Sequence, residues 1–325
     1  MEEKMLNVSS SPHVRDNSST KSIMRDVVIA LLPATAVGIY NFRISALLVI
    51  LTTCVTCVLA EYLWQKLMKQ PITTNDFSAL LTGLLLALNL PSTIPLWMCV
   101  IGGVFAIIIA KQLFGGLGQN FMNPALAGRC FLMLSFSSAM TSFTVKEGSS
   151  ILYGIAVDAQ SSATPLMQVK EGTLPSLKAM FLGTTTGTIG ETSVVALLIG
   201  AIYLLARKVI DWKIPVVYIV TFAVFDLLYQ TVVGGAPYPL VYELCGGGLI
   251  LGAFFMATDY VTSPITPKGK IIYAVLIGLL TGLFRFCGES AEGVSFAIII
   301  GNLCVPLIEK FTVPKAFGKE GRENG

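Results

Sequence analysis

The sequence predicts an all-α protein that crosses a membrane about ten times. Hydrophobic residues make up 54% of the 325 residues and charged residues 13%, whereas a soluble domain is about 25% charged. So little charge cannot cover a soluble surface, and the composition also excludes a chain that is disordered throughout. Ten apolar stretches approach the roughly 20 residues that span a bilayer as a helix. They are 22–40, 44–64, 77–94, 95–113, 123–140, 192–210, 214–233, 239–257, 270–287 and 291–311.

The polar N-terminal segment, residues 1–21, has neither the apolar core nor the cleavage site of a signal peptide. The third and fourth spans are separated only by the stretch from Pro91 to Pro95. The third and fifth spans are short, so each is compatible with a full helix or with a broken or re-entrant one. A bilayer tolerates a broken helix only where protein or a cavity surrounds the exposed backbone.

Lysine and arginine fall mostly on one side of these spans. With the N-terminus in the cytoplasm, 17 of the 22 basic residues are cytoplasmic, and five lie on the other side. Cytoplasmic loops are enriched in Lys and Arg. The ratio therefore predicts an even number of spans, two cytoplasmic termini and an extracytoplasmic loop at 141–190.

That loop divides the spans into two sets of five. We predict a cytoplasmic tail (1–21), a first half (22–140), the loop (141–190), a second half (191–311) and a second cytoplasmic tail (312–325). An odd number of spans gives the two halves opposite orientations. Inverted repeats of this kind usually meet at a site near the bilayer midplane.

The two halves also resemble each other locally. TGLLLALNLP at 82–91 and LGAFFMATDY at 251–260 share a glycine, an apolar run and a polar end. Each is followed by a span and then by a polar turn that contains glycine, at 115–120 and at 287–290. The pattern favours a repeat, and the alternative is that any two apolar segments look alike.

Few residues suit a metal or a soluble nucleotide. His13 is the only histidine, so haem or zinc bound through histidine is not expected. Cys54 and Cys57 form a C-x-x-C pair inside an apolar span, which favours packing over a redox or cluster role. There is no G-x-x-x-x-G-K-[ST] loop, and 116–121 lacks the last glycine of a dinucleotide fingerprint. We predict no metal site, no ATP or NAD site and no nucleic-acid partner.

Acidic residues inside the spans are candidates for an ion or proton route, because a charge is costly within a membrane. Asp226 lies well inside the seventh span and Glu243 lies in the eighth, whereas Asp76 and Asp259 lie at span ends. We hypothesise that Asp226 or Glu243 lines such a route. The alternative is a structural carboxylate bonded to a neighbouring helix.

The 141–190 loop contains 14 Ser or Thr in 50 residues, and a loop of this length is usually functional or disordered. One stretch resembles the pattern D-x-x-[ST]-[GS]-A-[ST], at which a flavin transferase attaches FMN to threonine through a phosphoester bond. The matching residues are Asp158, Ser161, Ser162, Ala163 and Thr164.

The chemistry of such a site agrees with these residues. The acceptor must be a hydroxyl group, and small neighbours let a transferase approach. Pro165 biases Thr164 towards extended backbone, so we expect a short, accessible, extended segment. Ser162 stands where glycine is commoner, and the alternative is an ordinary loop rich in Ser and Thr.

Several further motifs occur in the same order in one family. The whole chain resembles the D subunits of the Rnf complex, the ferredoxin:NAD⁺ oxidoreductase that couples electron transfer to Na⁺ or H⁺ export. It is also similar to the B subunits of the Na⁺-translocating NADH:quinone reductases. The resemblance rests on the SSPHVR tail (10–15), GGLGQN (115–120), NPA (123–125), SSATPL (161–166) and GTIGETS (187–193).

The resemblance implies that Thr164 carries covalent FMN on the extracytoplasmic side of the cell (cytoplasmic) membrane. It also implies a second, non-covalent flavin among the helices, riboflavin being expected. Candidates to hold the second flavin are Gly115, Gly116, Gly118, Asn120 and Asn123, and close helix packing is the alternative. Three further residues lie at the end of a span near the FMN, and they either contact the FMN or cap the sixth helix. They are Gly187, Gly190 and Glu191.

The function implied is electron transfer by a flavin subunit of an ion-translocating oxidoreductase that is not active alone. The implied partners are iron–sulfur, NAD-binding and second FMN-bearing subunits, with a flavin transferase for maturation. Two other functions remain open. One is a channel or secondary transporter for a small solute, and the other is a membrane scaffold for other subunits.

Overall fold

The computed structural model describes residues 19–145, 160–161, 164–170, 174–183, 185, 187–233, 239–288 and 293–314. Most of the two predicted tails lie outside these residues, as do Asp158, Ser162 and Ala163 of the attachment motif. The regular secondary structure of the described part is helical, apart from one short strand pairing and an isolated bridge between Pro91 and Thr188. In the strand pairing, β1 (Thr144–Val145) runs antiparallel to β2 (Gln160–Ser161).

The helices of the described part follow the predicted apolar stretches, except for α6 and α7, which lie in the predicted loop at 141–190. They are α1 Thr20–Leu67, α2 Ser78–Leu88, α3 Leu96–Val104, α4 Pro124–Ser135, α5 Ser137–Met140, α6 Pro165–Lys170, α7 Leu177–Leu182, α8 Val194–Ala206, α9 Lys213–Val233, α10 Leu240–Cys245, α11 Leu249–Leu251, α12 Pro267–Cys287 and α13 Val294–Thr312. π-Helical turns extend α3 and α11, at Phe105–Ile109 and Gly252–Met256. Short 3₁₀ turns lie at Thr74–Asp76 and Gln112–Phe114.

Five of the described helical stretches are long and apolar enough to cross a membrane. They are Thr20–Leu67, Leu96–Phe114, Lys213–Val233, Pro267–Cys287 and Val294–Thr312. Three shorter apolar helices accompany them, at Ser78–Leu88, Pro124–Ser135 and Val194–Ala206. The prediction of an all-α membrane protein is confirmed by these helices.

The first stretch, α1, contains two predicted spans in one run of 48 residues. The run is interrupted at Arg43, whose φ of 53° and ψ of −132° are not helical. This residue lies between the predicted spans 22–40 and 44–64. The sequence therefore located the boundary, although no loop separates the two parts.

Local signals begin several helices where expected. Asn123 caps α4 by accepting from the backbone N–H of Ala125 at 3.0 Å, and Pro124 occupies the first helical position, where a missing N–H costs nothing. Thr266 caps α12 in the same way, through the N–H of Gly269 at 3.0 Å. These caps satisfy N–H groups that each helix leaves without an internal partner.

The third predicted span is broken after α2. The carbonyls of Leu88 and Leu90 accept from Gly190 at 2.7 Å and from Ile189 at 3.1 Å. The segment that precedes α8 thus satisfies carbonyl groups at the end of α2, as a break inside a membrane requires. The fifth span is also divided, into α4 and α5 around Phe136.

Small residues let the helices approach closely. A Cβ on Gly83 of α2 would lie 2.8 Å from the Cα of Cys54 in α1, and one on Gly278 of α12 would lie 2.8 Å from Thr221 of α9. Close approach of this kind drives helix association in membranes. Cys54 and Cys57 are both buried against neighbouring helices. This burial agrees with the interpretation that the two cysteines serve helix packing.

Candidate functional site

Thr164 lies directly before α6 and is buried, with 7% of its surface exposed, whereas the sequence predicted an accessible segment. Its Oγ1 accepts from the N–H of Met167 at 3.4 Å, and Ser161 lies in β2 opposite Thr144. Thr164 lines a cleft with about 340 Å³ of empty space including its open mouth, which we call the Thr164 cavity. Its walls come from Thr164, Pro165, Leu166, Met180, Thr185, Gly187, Glu191, Cys245, Gly246 and Gly247.

Residues from two separate sequence motifs meet in this cavity. Thr164 belongs to the attachment motif, and Gly187 and Glu191 belong to the segment before α8. Gly190 has a different position. Its N–H donates to the carbonyl of Leu88, and a Cβ there would lie 2.7 Å from the Cβ of Leu88, so Gly190 joins the segment to α2.

A buried ion pair supports one wall of the Thr164 cavity. The guanidinium of Arg285 donates to the carboxylate of Glu243 at 3.0 Å, and these side chains are 0% and 1% exposed. The same guanidinium donates to the carbonyls of Gly246 and Gly247 at 3.2 and 3.3 Å. Arg285 therefore satisfies the backbone where the eighth span unwinds between α10 and α11.

Glu191 connects the cavity to the interior of the first half. Its carboxylate lies 3.6 Å from the guanidinium of Arg129 in α4, and both side chains are buried. Arg129 also donates to the amide oxygen of Asn89 at 2.6 Å. A buried charge is costly without partners, so these contacts fix the position of Glu191.

A second and larger cleft, the Asn123 cavity, encloses about 720 Å³ of empty space including its open mouth. Its walls come from α1, α2, α8, the π-helical turn after α11 and the loops at 111–124 and 258–261. The polar residues among those that line it are Ser78, Thr82, Lys111, Asn120, Asn123, Thr258, Asp259 and Tyr260.

Two of the predicted flavin-binding residues, Asn120 and Asn123, line this cavity, and three do not. Gly115, Gly116 and Gly118 have φ values of 114°, 91° and 92°, a left-handed conformation that favours glycine. They form the turn that leads to Asn120. Their place in the turn gives a conformational reason for glycine at these positions.

Lys111 and Glu61 form a buried pair at the edge of the Asn123 cavity. The ammonium of Lys111 donates to Glu61 Oε1 at 2.9 Å and to Ser78 Oγ at 2.6 Å. Gln112 also donates to Glu61 Oε1, at 2.7 Å. In the sequence Lys111 is one of the basic residues counted as cytoplasmic, near the end of the predicted span 95–113, and neither Lys111 nor Glu61 was among the predicted site residues. A glutamate inside the second span was the signal that could have revealed the pair.

Asp259 also lines the Asn123 cavity, in the loop between the π-helical turn and α12. Burial raises the pKa of its carboxyl above the ordinary value. The hydroxyl of Thr262, which donates at 3.0 Å, and the N–H groups of Tyr260 and Val261 lower the pKa less than burial raises it.

The two acids proposed for an ion route have different surroundings. Glu243 is held by Arg285 as described above. Asp226 in α9 is fully buried and accepts from Gln230 at 3.0 Å through Oδ1. Its Oδ2 has no hydrogen-bond partner among the described residues. Static contacts do not test ion movement, so both assignments stay predictions.

Comparison with known proteins places the chain among named relatives. It is 48% identical over 323 residues to the D subunit of the Na⁺-translocating ferredoxin:NAD⁺ oxidoreductase complex of Acetobacterium woodii, covering 98% of this chain and 97% of that protein. It is 45% identical to the D subunit of the proton-translocating ferredoxin:NAD⁺ oxidoreductase complex of Clostridium ljungdahlii, covering 98% of each. It is 38% identical to the D subunit of the ion-translocating oxidoreductase complex of Erwinia tasmaniensis, covering 96% of this chain and 98% of that protein.

A sequence model of one family matches nearly the whole chain. The match covers residues 7–318 and is described as the NQR2, RnfD, RnfE family. Both cavities and all the apolar helices lie within the matched residues. Together with the identity to the curated relatives, this match shows that the chain is a membrane protein that belongs to the NQR2, RnfD, RnfE family.

Proposed function

We propose that this chain is the flavin-carrying membrane subunit of an Rnf-type complex. The complex couples electron transfer between ferredoxin and NAD⁺ to translocation of Na⁺ or H⁺, as the names of the relatives state for their own complexes. The observation that carries the proposal is the meeting of Thr164, Gly187 and Glu191 in one cavity. The family resemblance implies covalent FMN at Thr164 and makes Gly187 and Glu191 candidate contacts of that flavin, with capping of the sixth helix as the alternative.

The Thr164 cavity suits a group attached through the threonine hydroxyl. Thr164 opens into the cavity, and its walls include Gly187, Gly246 and Gly247, which have no side chains to obstruct a planar ring. No described atom lies within 4 Å of a Cβ built on Gly187. A covalently bound FMN would supply the redox chemistry here, while the protein fixes its position and surroundings.

The Asn123 cavity suits the second, non-covalent flavin, for which we propose riboflavin. Ligand sites are typically apolar clefts with a few convergent polar groups, and this cleft combines Leu85, Phe254 and Phe255 with Asn120 and Asn123. The amide of Asn123 is already fixed, because its oxygen caps α4 and its nitrogen donates to the carbonyl of Met256 at 3.4 Å. A fixed amide can form a hydrogen bond with the polar edge of a ring without reorganising.

Two buried ion pairs support the proposal of ten spans in two inverted halves. Lys111 closes the fourth predicted span and donates to Ser78 at the start of the third. Arg285 closes the ninth span, the fourth of the second half, and donates to Glu243 at the start of the eighth. Each half thus has a buried cation in a corresponding position.

Contacts at the two ends of the first predicted span, 22–40, support the proposed topology. The Lys21 ammonium lies 5.6 Å from the centre of the Phe77 ring, at the end proposed to be cytoplasmic. The Asn41 amide donates to the carbonyl of Gly183, in the loop proposed to be extracytoplasmic. We further propose that both termini are cytoplasmic and that the membrane is the cell membrane.

The proposed role requires other subunits, because the sequence offers no site for ferredoxin or NAD⁺. We propose iron–sulfur, NAD-binding and second FMN-bearing subunits as partners, with a flavin transferase for maturation. The chain would receive electrons from one partner and deliver them to another. It would hold its two flavins in separate cavities that different parts of the helix bundle surround.

Covalent flavin at Thr164 is the decisive test. The full chain, co-expressed with an active flavin transferase, is denatured, run on a gel and viewed under ultraviolet light. We expect a fluorescent band that Thr164→Ala abolishes and that Thr185→Ala, a threonine in the same cavity, retains. A dark wild-type band, with the transferase active on another substrate, would overturn the proposal.

A dark band would favour the alternative of a channel or secondary transporter. The specific observation in its favour is the pair of interrupted spans, at Asn89–Pro95 and Gly246–Gly248. Broken helices of this kind form substrate sites in inverted-repeat transporters. Solute flux into liposomes that contain the purified chain would then identify the function.

A further inference from the structure

The Asn123 cavity contains a fixed positive charge at its edge. Lys111 is the one lysine, and no arginine occurs, among the described residues that line this cavity. The side chain is almost completely buried, with 2% exposed. A charge that solvent does not screen acts strongly on anything bound beside it.

The position of the Lys111 ammonium is fixed by its partners. Glu61 and Ser78 accept from it at 2.9 and 2.6 Å. An ammonium has three N–H groups, so these bonds leave one donor beyond Glu61 and Ser78. Glu61 is itself fixed, because Gln112 donates to the same carboxylate oxygen.

We propose that Lys111 sets the reduction potential of the ring bound in the Asn123 cavity. A flavin ring that takes up two electrons and one proton carries a negative charge in its reduced form, and the ammonium stabilises that charge. In the complex the electrons come from the iron–sulfur donor and the proton comes from solvent. This inference rests on the proposed function, which puts the non-covalent flavin in this cavity.

Because acidic residues lie near Lys111, the inference predicts changes in the reduction potential of opposite sign for different variants. Glu61 pairs with Lys111 and is not among the described residues that line the cavity, whereas Asp259 lines it. Loss of the lysine charge should weaken binding of the reduced ring relative to the oxidised ring. Loss of the Glu61 charge should do the opposite, because the ammonium then acts on the ring without its partner. A purely structural pair would shift both variants in the same direction or leave the potential unchanged.

The test uses the full-length chain with Thr164→Ala, so that only the non-covalent flavin is observed. Its potential is measured by titration with dithionite beside a reference dye. For Lys111→Gln we expect at least a tenfold loss in the affinity for the reduced ring relative to the oxidised ring. That change corresponds to about 30 mV for a two-electron couple. Glu61→Gln should raise the potential, and Lys111→Arg should remain near the parent chain.

A matched control is Lys66→Gln, an exposed lysine whose ammonium lies 5.9 Å from the centre of the Tyr62 ring and which should leave the potential unchanged. An unchanged potential in Lys111→Gln, or shifts of the same sign in the Lys111 and Glu61 variants, would overturn the inference. If Lys111→Gln loses its flavin, Glu61→Gln decides alone, and an unshifted potential there rejects the inference. If the Thr164→Ala parent yields no flavin on acid extraction, the proposed occupant of the cavity is wrong, and the inference fails with it.

Discussion

The guanidinium of Arg285 donates to the carboxylate of Glu243 across 3.0 Å, at a place that solvent does not reach. Arg285 comes from α12, and Glu243 lies in the short helix α10. The pair therefore holds together two segments on either side of the unwound stretch at Gly246–Gly248. This stretch forms part of the wall beside Thr164, so the pair positions the cavity rather than entering it.

Removal of Arg285 should destabilise the protein strongly. Arg285→Met removes the guanidinium that pairs with the buried carboxylate of Glu243, and breaking a buried ion pair by removing one member costs about 3–5 kcal/mol. The midpoint of thermal unfolding in detergent measures the effect. Lys213→Met is the control, because Lys213 lies 3.7 Å from Asp211 in a pair that is about one-third exposed, and such pairs contribute at most about 1 kcal/mol.

A double variant separates the charge from the other contacts of the guanidinium. Arg285→Met combined with Glu243→Met removes both charges, so it should unfold at a higher temperature than Arg285→Met alone. If the double variant is no more stable than the single one, the bonds to the carbonyls of Gly246 and Gly247 account for the stabilisation, and the ion-pair explanation is wrong.

Two glycines near the Thr164 cavity should respond differently to substitution. Gly248 has a φ of +67°, and a Cβ there would contact the carboxylate of Glu191. Gly248→Ala should cost about 1–2 kcal/mol in backbone strain, displace Glu191 and reduce covalent flavin. Gly187→Ala meets no described atom within 4 Å, so it should retain the unfolding temperature. It should still reduce the flavin content, because its methyl group enters the proposed site.

In-gel flavin fluorescence normalised to protein, together with thermal unfolding, distinguishes these outcomes. A Gly187→Ala chain with full flavin would show that the ring lies away from this wall. A Gly248→Ala chain with an unchanged unfolding temperature would contradict the argument from positive φ.

The sequence predicted much of the helical arrangement because length and apolarity are local properties. The boundary at Arg43 falls between two predicted spans, and the predicted short spans at 77–94 and 123–140 are both interrupted in the structure. Length alone also suggested that these spans could be broken, because fewer than about 20 helical residues do not cross a bilayer. The eighth span, 239–257, is also interrupted, at Gly246–Gly248, although its length gave no sign of a break.

The buried ion pairs could not be predicted in the same way. Lys111 and Glu61 are 50 residues apart, and Arg285 and Glu243 are 42 apart, in different predicted spans in each case. The hydropathy pattern shows that each charge lies inside a span or at its end. It does not show which residue pairs with that charge. The cavities could not be predicted from hydropathy either, because tertiary contacts form them. Thr164 and Glu191, for example, become neighbours only when the loop folds against α10.

A larger side chain in the Asn123 cavity should exclude the non-covalent flavin. Thr258 lines the cavity, and its hydroxyl donates to the carbonyl of Phe254 at 2.8 Å. Thr258→Trp should lower the riboflavin released by acid more than tenfold and leave the covalent flavin at Thr164 intact. Chromatography of the acid extract measures the first quantity, and gel fluorescence measures the second.

Thr141→Trp is a matched control for this experiment. Thr141 is exposed, and its hydroxyl makes the same type of bond, to the carbonyl four residues earlier, at 2.9 Å. It lies outside the cavity, so the riboflavin content should not change. Equal losses in both variants would show that a general effect of tryptophan, and not occupation of the cavity, removes the flavin.

Asp226 is the stronger of the two candidates for an ion route, because Glu243 is bound to Arg285 whereas Asp226 Oδ2 has no partner among the described residues. Asp226→Asn preserves the shape and the acceptor that Gln230 uses but removes the charge. In the assembled complex we expect ion transport per electron to fall by at least half, while electron transfer continues. Asp211→Asn, in a partly exposed loop pair, should transport ions normally. Full transport in Asp226→Asn would assign this carboxylate to packing, since a charge that carries ions cannot be replaced by a neutral amide without loss.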